Sequence, residues 1–155
     1  MSIKNYWRVK ISNKKISKDK ILAEIDEKIN LSIEQHIRSD VPVGLFYSGG
    51  MDSFLIKEKF KKFSQKKIIK FIAEFKNKKN KSKFKKNITN KIVFERLSDY
   101  VDSLDQPIAD SAGIPSFLLS EAAKKKKIKV ILSGAGADEI FGGYRRYYYN
   151  TYFLT

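Results

Sequence analysis

Serine, glycine and aspartate recur together where two apolar segments of this chain end. The stretch GLFYSGGMDSFLIKEKF, Gly44 to Phe60, leaves an apolar run through Ser48-Gly49-Gly50-Met51-Asp52-Ser53 and enters an amphipathic pattern. Far downstream, LSGAGADEIFGGYRRY, Leu132 to Tyr147, again puts small residues directly after an apolar run and again carries carboxylates, Asp138 and Glu139. Glycines let a backbone approach a polyanion closely, successive N–H groups and a helix N-terminus supply positive potential, and serine hydroxyls add donors. That combination describes a phosphate cradle. A carboxylate beside phosphates is repulsive unless a cation lies between them, and Mg²⁺ is commonly held by one or two carboxylates together with phosphate oxygens. The alternative for Asp52 is local: it caps or charges the N-terminus of the helix that follows.

The elements that must position these loops are read from periodicity. YWRVKI (Tyr6 to Ile11) has the pattern of a short strand, and Ile21/Leu22, Ile25, Ile29, Ile33 and His36/Ile37 recur at helical spacing up to Arg38. His36, the only histidine, lies beside that stripe and is assigned packing or a surface role. PVGLFY (Pro42 to Tyr47) is a strand, after which Leu55/Ile56, Phe60 and Phe63 mark one helix face. KIIKFIAEF (Lys67 to Phe75) is a second strand, KIVFERL (Lys91 to Leu97) a third, with a short helix around Ser98 to Leu104. IPSFLLSEAAKKKK (Ile114 to Lys127) is helical, with Pro115 tolerated in the first turn, and IKVILSG (Ile128 to Gly134) is the strongest strand. Alternating elements of this length predict an α/β fold, a parallel sheet with helices on both faces. Ligands of such sheets bind beyond the carboxyl ends of the strands. If both strands belong to one sheet, both loops emerge on one edge, and Asp52 and Asp138 could share a metal.

Composition limits the function classes. The 155 residues suit one core, and the absence of cysteine removes disulfides, zinc-thiolate sites and a cysteine nucleophile. No apolar run reaches membrane-span length and the N-terminus lacks a signal-peptide core, so a cytoplasmic protein without membrane contact is expected. The net charge of +15 invites a nucleic-acid reading. Only Arg8, Arg38, Arg96, Arg145 and Arg146 are arginine, however, and bidentate recognition leans on arginine. The lysines are therefore assigned to solvated surface, with Lys76 to Lys86 as a loop and Lys124 to Lys127 as a helix end.

SGGMDS resembles the pyrophosphate-binding loop of the PP-loop ATP pyrophosphatases. The flanking segments RSDVPVGLFYSGGMDS (Arg38 to Ser53), DQPIADSAGIPSFLLSEAA (Asp105 to Ala123) and VILSGAGADEIFGGYRRY (Val130 to Tyr147), in this order, resemble the synthetase domain of glutamine-dependent asparagine synthetases. Residues 1–16 resemble the junction that follows that family's glutaminase domain, and 17–155 a partial ATP-binding synthetase domain, incomplete at the C-terminus. The resemblance implies an amidation in two steps. ATP adenylates the side-chain carboxylate of aspartate with release of pyrophosphate, and ammonia then displaces AMP to give asparagine. It also implies roles: Ser48, Gly49, Gly50 and Ser53 on the departing phosphates, Asp52 and Asp138 on Mg²⁺, and Tyr47, Ala73, Ser133 and Gly134 at adenosine-contacting positions.

The departures from that family carry expectations too. Ala135 stands where the family usually has glutamate, so Glu139 or water must act at the ammonia step. Gln106 replaces a frequent glutamate. The family's additional strand and helix after KFIAEF are expected to be missing or replaced by the lysine-rich loop. Without a cysteine nucleophile, nitrogen comes from free ammonia or from a separate glutaminase chain. No residue matches the family's transition-state lysine. The aromatics Tyr144, Tyr147, Tyr148, Tyr149, Tyr152 and Phe153 form a face for the rest of the domain or another subunit. Two other readings compete: a PP-loop tRNA-modifying enzyme, which would use the charge, and an inactive nucleotide-binding fragment.

Overall fold

The computed structural model describes residues 4–8, 15–74 and 85–153. Helix α1 (Lys18–His36) starts where the Ser17 hydroxyl accepts the Lys20 N–H, a serine N-cap of the usual kind. Strand β1 (Val43–Phe46) leads into α2 (Met51–Phe63), and β2 (Ile69–Glu74) follows. Beyond the lysine-rich segment come β3 (Lys85–Asn87), α3 (Asn90–Asp102), α4 (Gly113–Lys125), β4 (Val130–Leu132), α5 (Ala137–Phe141) and α6 (Arg145–Phe153).

All strand pairs are parallel, in the order β3-β2-β1-β4. Gly44 stands opposite Ile69 on one side and Ile131 on the other, so β1 is central. Its side chains alternate between two cores, as the period of two requires. Leu45, fully buried, joins Phe60 of α2 and Leu132, with Val43, Tyr47, Ile56 and Ile37 around them. Phe46 faces the other way, toward Phe71, Leu119, Ala123 and Ile128, where α4 packs on β2. Helices α1 and α2 thus cover one face and α4, backed by α3, the other. The α/β expectation, a parallel sheet with helices on both faces, is met.

Gly44 has a specific packing reason. A Cβ built there would lie 2.6 Å from Ile131 Cδ1, 2.9 Å from a Phe71 ring carbon and 3.1 Å from Ile128 Cγ2. The helix face of the sheet closes over that position because no side chain stands on it.

Two expectations are corrected. The segment Lys91 to Leu97 is not a strand: with Ser98 to Asp102 it forms the single helix α3. Ile92, Val93 and Phe94 favour strands by type. The Thr89 hydroxyl, however, accepts the Ile92 N–H as an N-cap, and Ile92/Val93, Arg96 and Tyr100 then follow at helical spacing. Tyr100 is buried and meets the Phe117 ring edge-on at 6.0 Å, and Arg96 pairs with Glu121 of α4 and with Asp99. The second correction follows from the first: a strand and a helix after β2 are present, as β3 and α3. Lys85 and Lys86, expected in a loop, belong to β3, and residues 75–84 lie outside the described residues.

Tyr6 to Arg8 adopt no regular structure, and the rest of the strand expected from Tyr6 to Ile11 lies outside the described residues. His36 closes α1, where its Nδ1 is 2.7 Å from the Ser32 carbonyl oxygen. Among the described residues no helix is long and apolar enough to cross a membrane.

Candidate nucleotide site at two strand exits

Strands β1 and β4 are hydrogen-bonded neighbours, with Leu45 opposite Leu132, so the two loops that follow them leave the sheet on the same edge. The chain steps from β1 to β2 on one side and returns from β3 to β4 on the other. The strand order therefore reverses at β1, which makes the gap between β1 and β4 the switch point where open parallel sheets take ligands.

The two exits share a construction. The Ser48 hydroxyl accepts the Gly50 N–H at 3.2 Å, and the Ser133 hydroxyl accepts the Ala135 N–H at 3.1 Å. Both serines thus bend the backbone two residues on. In the first loop Gly49 takes φ +81°, a conformation L side chains rarely adopt. Ser53, at 4% exposure the one buried polar side chain among the described residues, donates to the Gly50 carbonyl at 3.1 Å and lies 3.2 Å from the Ser48 hydroxyl. Two serines five residues apart thereby tie the strand exit to the first turn of α2.

No side chain caps α2; Gly50 occupies the cap position without a side-chain bond. The local alternative for Asp52 as a cap is therefore not what the chain does. Asp52 sits in the first turn of α2, where its charge suits the helix dipole. The early N–H groups of α2 keep no side-chain partner, which leaves them for a ligand anion.

Gly134 brings the loops into contact. A Cβ on it would lie 3.0 Å from the Asp52 Cβ and 3.6 Å from the Ser53 nitrogen. The second loop then turns through Gly136 (φ +93°) into α5, which carries Asp138 and Glu139 in its first turn and ends at Gly142 (φ +70°). The salt bridges among the described residues use Asp26, Glu34, Glu58, Glu95, Asp99 and Glu121, and neither Asp52 nor Asp138 takes part. Both carboxylates are half-buried and free of a protein cation. No group of three His, Cys, Asp or Glu residues that could hold a metal occurs among the described residues. A Mg²⁺ held by one or two carboxylates would have to arrive with phosphate oxygens rather than be caged by protein.

Glu139 is engaged elsewhere. Its carboxylate accepts the Tyr144 hydroxyl at 2.6 Å, which lowers the Glu139 pKa and raises that of Tyr144 to about 12. Arg146 stacks on the Tyr144 ring at 4.5 Å and on Tyr147 at 5.6 Å, while the two rings meet edge-on. Tyr148 and Tyr149 are well exposed on α6, as a free aromatic face requires, and the side chains of Tyr152 and Phe153 lie outside the described residues.

The remaining expected contacts separate. Ser133 and Gly134 lie at the loop junction. Tyr47 and Ala73 extend the same edge, but their side chains join opposite cores, Tyr47 with Leu45 and Ala73 with Phe71. Sequence reasoning missed Gly143, Tyr144 and Arg146 as neighbours of the two acids; the glycine pair directly after α5 was the available signal. Hollows of about 530 and 420 Å³, lined partly by Lys124, Lys127, Lys129, Lys66 and Lys67, open at the amino ends of the strands, away from both loops.

A family model described as asparagine synthase matches residues 24–154. The chain is 34% identical to asparagine synthetase (glutamine-hydrolyzing) 1 of Bacillus subtilis strain 168, over 95% of the chain and 25% of that protein. It is 32% identical to a protein of Methanocaldococcus jannaschii provisionally named asparagine synthetase (glutamine-hydrolyzing) 2, over 90% of the chain and 30% of the relative. Identity to asparagine synthetase B (glutamine-hydrolyzing) of Escherichia coli K12 is 26%, over 78% of the chain and 27% of the relative. The chain thus spans 24% to 30% of the length of these and similar relatives. No solved structure matches.

Proposed function

The chain belongs to the asparagine synthase family, and from that premise we propose that it carries the ATP-binding half of an asparagine-forming amidation. The reading is an ATP-dependent ligase in which the aspartate side-chain carboxylate attacks the α-phosphorus of ATP. Pyrophosphate leaves, and ammonia then displaces AMP from the β-aspartyl adenylate. The observation that supports it is the pair of serine-led glycine loops at adjacent strand exits, each with an uncommitted aspartate, joined through Gly134 and Asp52.

On this reading Ser48, Gly49, Gly50 and Ser53 receive the β- and γ-phosphates through backbone N–H groups and hydroxyls, at the uncapped N-terminus of α2. Asp52 and Asp138 would hold Mg²⁺, which supplies charge neutralisation for the departing pyrophosphate. Ser133 and Gly134 border the adenosine, with Tyr47 and Ala73 contributing backbone at the strand ends. Ala135, which has no ionisable group, leaves the ammonia step to solvent and to Glu139. With its pKa lowered by Tyr144, Glu139 suits electrostatic stabilisation of an ammonium better than proton removal. Nitrogen reaches the adenylate as ammonia. The partner surface around α6 is filled by the remaining part of the synthetase or by another subunit.

The test is pyrophosphate release from Mg·ATP with ammonium present, comparing added aspartate with no acid. Aspartate-dependent release with asparagine as product supports the reading. A folded sample that binds Mg·ATP but releases nothing with any acid overturns it for this chain and leaves a nucleotide-binding module. Salt-sensitive tRNA binding at the same loops would favour a tRNA-modifying enzyme instead.

A further inference from the structure

The turn between α5 and α6 is built around one of the two uncommitted carboxylates. Gly142, in the left-handed region at φ +70°, ends α5, and the N–H of Gly143 closes on the Asp138 carbonyl at 3.0 Å. That bond folds the Gly143 Cα back over the side chain of Asp138. A Cβ at residue 143 would overlap the Asp138 Oδ1, lie 2.9 Å from its Cγ and 3.3 Å from its Cα. The backbone contact is relieved by a few tenths of an ångström, whereas the overlap with Oδ1 is relieved only if the side chain swings aside. An alanine at 143 therefore forces the carboxylate out of its place. The first carboxylate has a similar neighbour, since a Cβ on Gly134 would stand 3.0 Å from the Asp52 Cβ. Each aspartate of the pair thus lies against a glycine of the second loop region, tightly at Gly134 and with outright overlap at Gly143. Asp138 is held there without a cation of the protein itself.

We propose that Gly143 is a positioning residue for Asp138: its bare Cα is the surface against which the carboxylate is seated for Mg²⁺ carried by a nucleotide. The proposal deepens the nucleotide reading above and rests on it. A seat of this kind acts on metal dependence rather than on the fold, and its loss is visible only while the carboxylate is present.

The experiment is a Mg²⁺ titration of ATP binding on the full chain, comparing the wild type with Gly143→Ala, Asp138→Ala and the double variant. Gly143→Ala is expected to weaken Mg²⁺-dependent ATP binding about tenfold, the lower end for loss of a group that orients a metal ligand, with ATP binding in chelator unchanged. In the Asp138→Ala background, where the overlap no longer exists, adding Gly143→Ala is expected to change nothing further. Gly142→Ala strains the same turn at a positive φ while its added methyl stays clear of Asp138, and it is expected to lower stability while keeping the Mg²⁺ dependence. Wild-type Mg²⁺ dependence in Gly143→Ala, while Asp138→Ala has lost it, overturns the seat and leaves the nucleotide reading standing. An equal loss with and without Asp138, or an equal loss in Gly142→Ala, makes the residue a part of the turn only and also overturns it. Undiminished Mg²⁺ dependence in Asp138→Ala removes the nucleotide-metal reading, and the seat falls with it.

Discussion

Replacing Gly44 by alanine tests whether the sheet is packed as closely as its geometry requires. The added methyl would lie 2.6 Å from Ile131 Cδ1, against about 3.5 Å for the near edge of a comfortable carbon contact. The Phe71 ring carbon at 2.9 Å and Ile128 Cγ2 at 3.1 Å would also be too close. Ile131 can turn its terminal methyl aside, but Phe71 is 1% exposed and has nowhere to go. Overpacking of this kind costs about 1–3 kcal/mol. The stiffer unfolded chain returns about 0.4–1 kcal/mol, so a net loss of about 1–2 kcal/mol is expected. In urea unfolding, with a slope of about 1–3 kcal/mol per molar, the midpoint should fall by roughly 1 M at unchanged slope. Ile131→Val removes the nearest atom, so the double variant should lose less than the two single losses combined. An unchanged or higher midpoint for Gly44→Ala, or strict additivity with Ile131→Val, would refute the close packing argued for β1.

Three further outcomes are expected. Asp52→Asn and Asp138→Asn should each weaken Mg·ATP binding about tenfold or more by calorimetry, and if neither does, the shared metal is wrong. Tyr144→Phe removes the hydroxyl that lowers the Glu139 pKa. The stability this bond lends is present above the ordinary carboxylate value, is lost as pH falls through the lowered Glu139 pKa, and is lost again as pH rises from 10 through about 12. The melting-temperature gap between wild type and Tyr144→Phe should therefore be open at neutral pH and close at both ends; a pH-independent gap would contradict it. Thr89→Ala should destabilise the protein by about 1 kcal/mol through loss of the α3 cap, and denaturation without change would argue against that cap.

The parts of the fold that the sequence made legible are those where local signals agree. Around Ser48 and Ser133 an apolar run, a glycine turn and an amphipathic run succeed one another, and the same residues that end each strand begin the next element. At Ile92 to Phe94 the signals conflict. Branched and aromatic side chains argue for a strand, and only the Thr89 cap and the later positions Arg96 and Tyr100 show the helical period. The contest is settled by burial of Tyr100 against Phe117 of α4, a partner that no local window contains. Within the site, the pairing of two loops followed from parallel strand order. The hold of Tyr144 on Glu139 and the place of Gly143 against Asp138 did not, since both depend on how the backbone turns after α5. Motif position likewise does not reveal side-chain direction: Tyr47 and Ala73 share an edge of the sheet but not a face of it.

Leu45 has no solvent exposure, and only Phe46 and Tyr47 separate it from Ser48. The chain passes from a fully enclosed residue to its proposed ligand contact in three steps. Folding and ligand capture thus draw on the same few residues, and a defect in one is heritable to the other. In a survey of variants, those that lose nucleotide and stability together should cluster along β1 and β4. Those that lose nucleotide at an unaltered midpoint should fall in the loops, and that division would map the boundary of the site without any bound ligand.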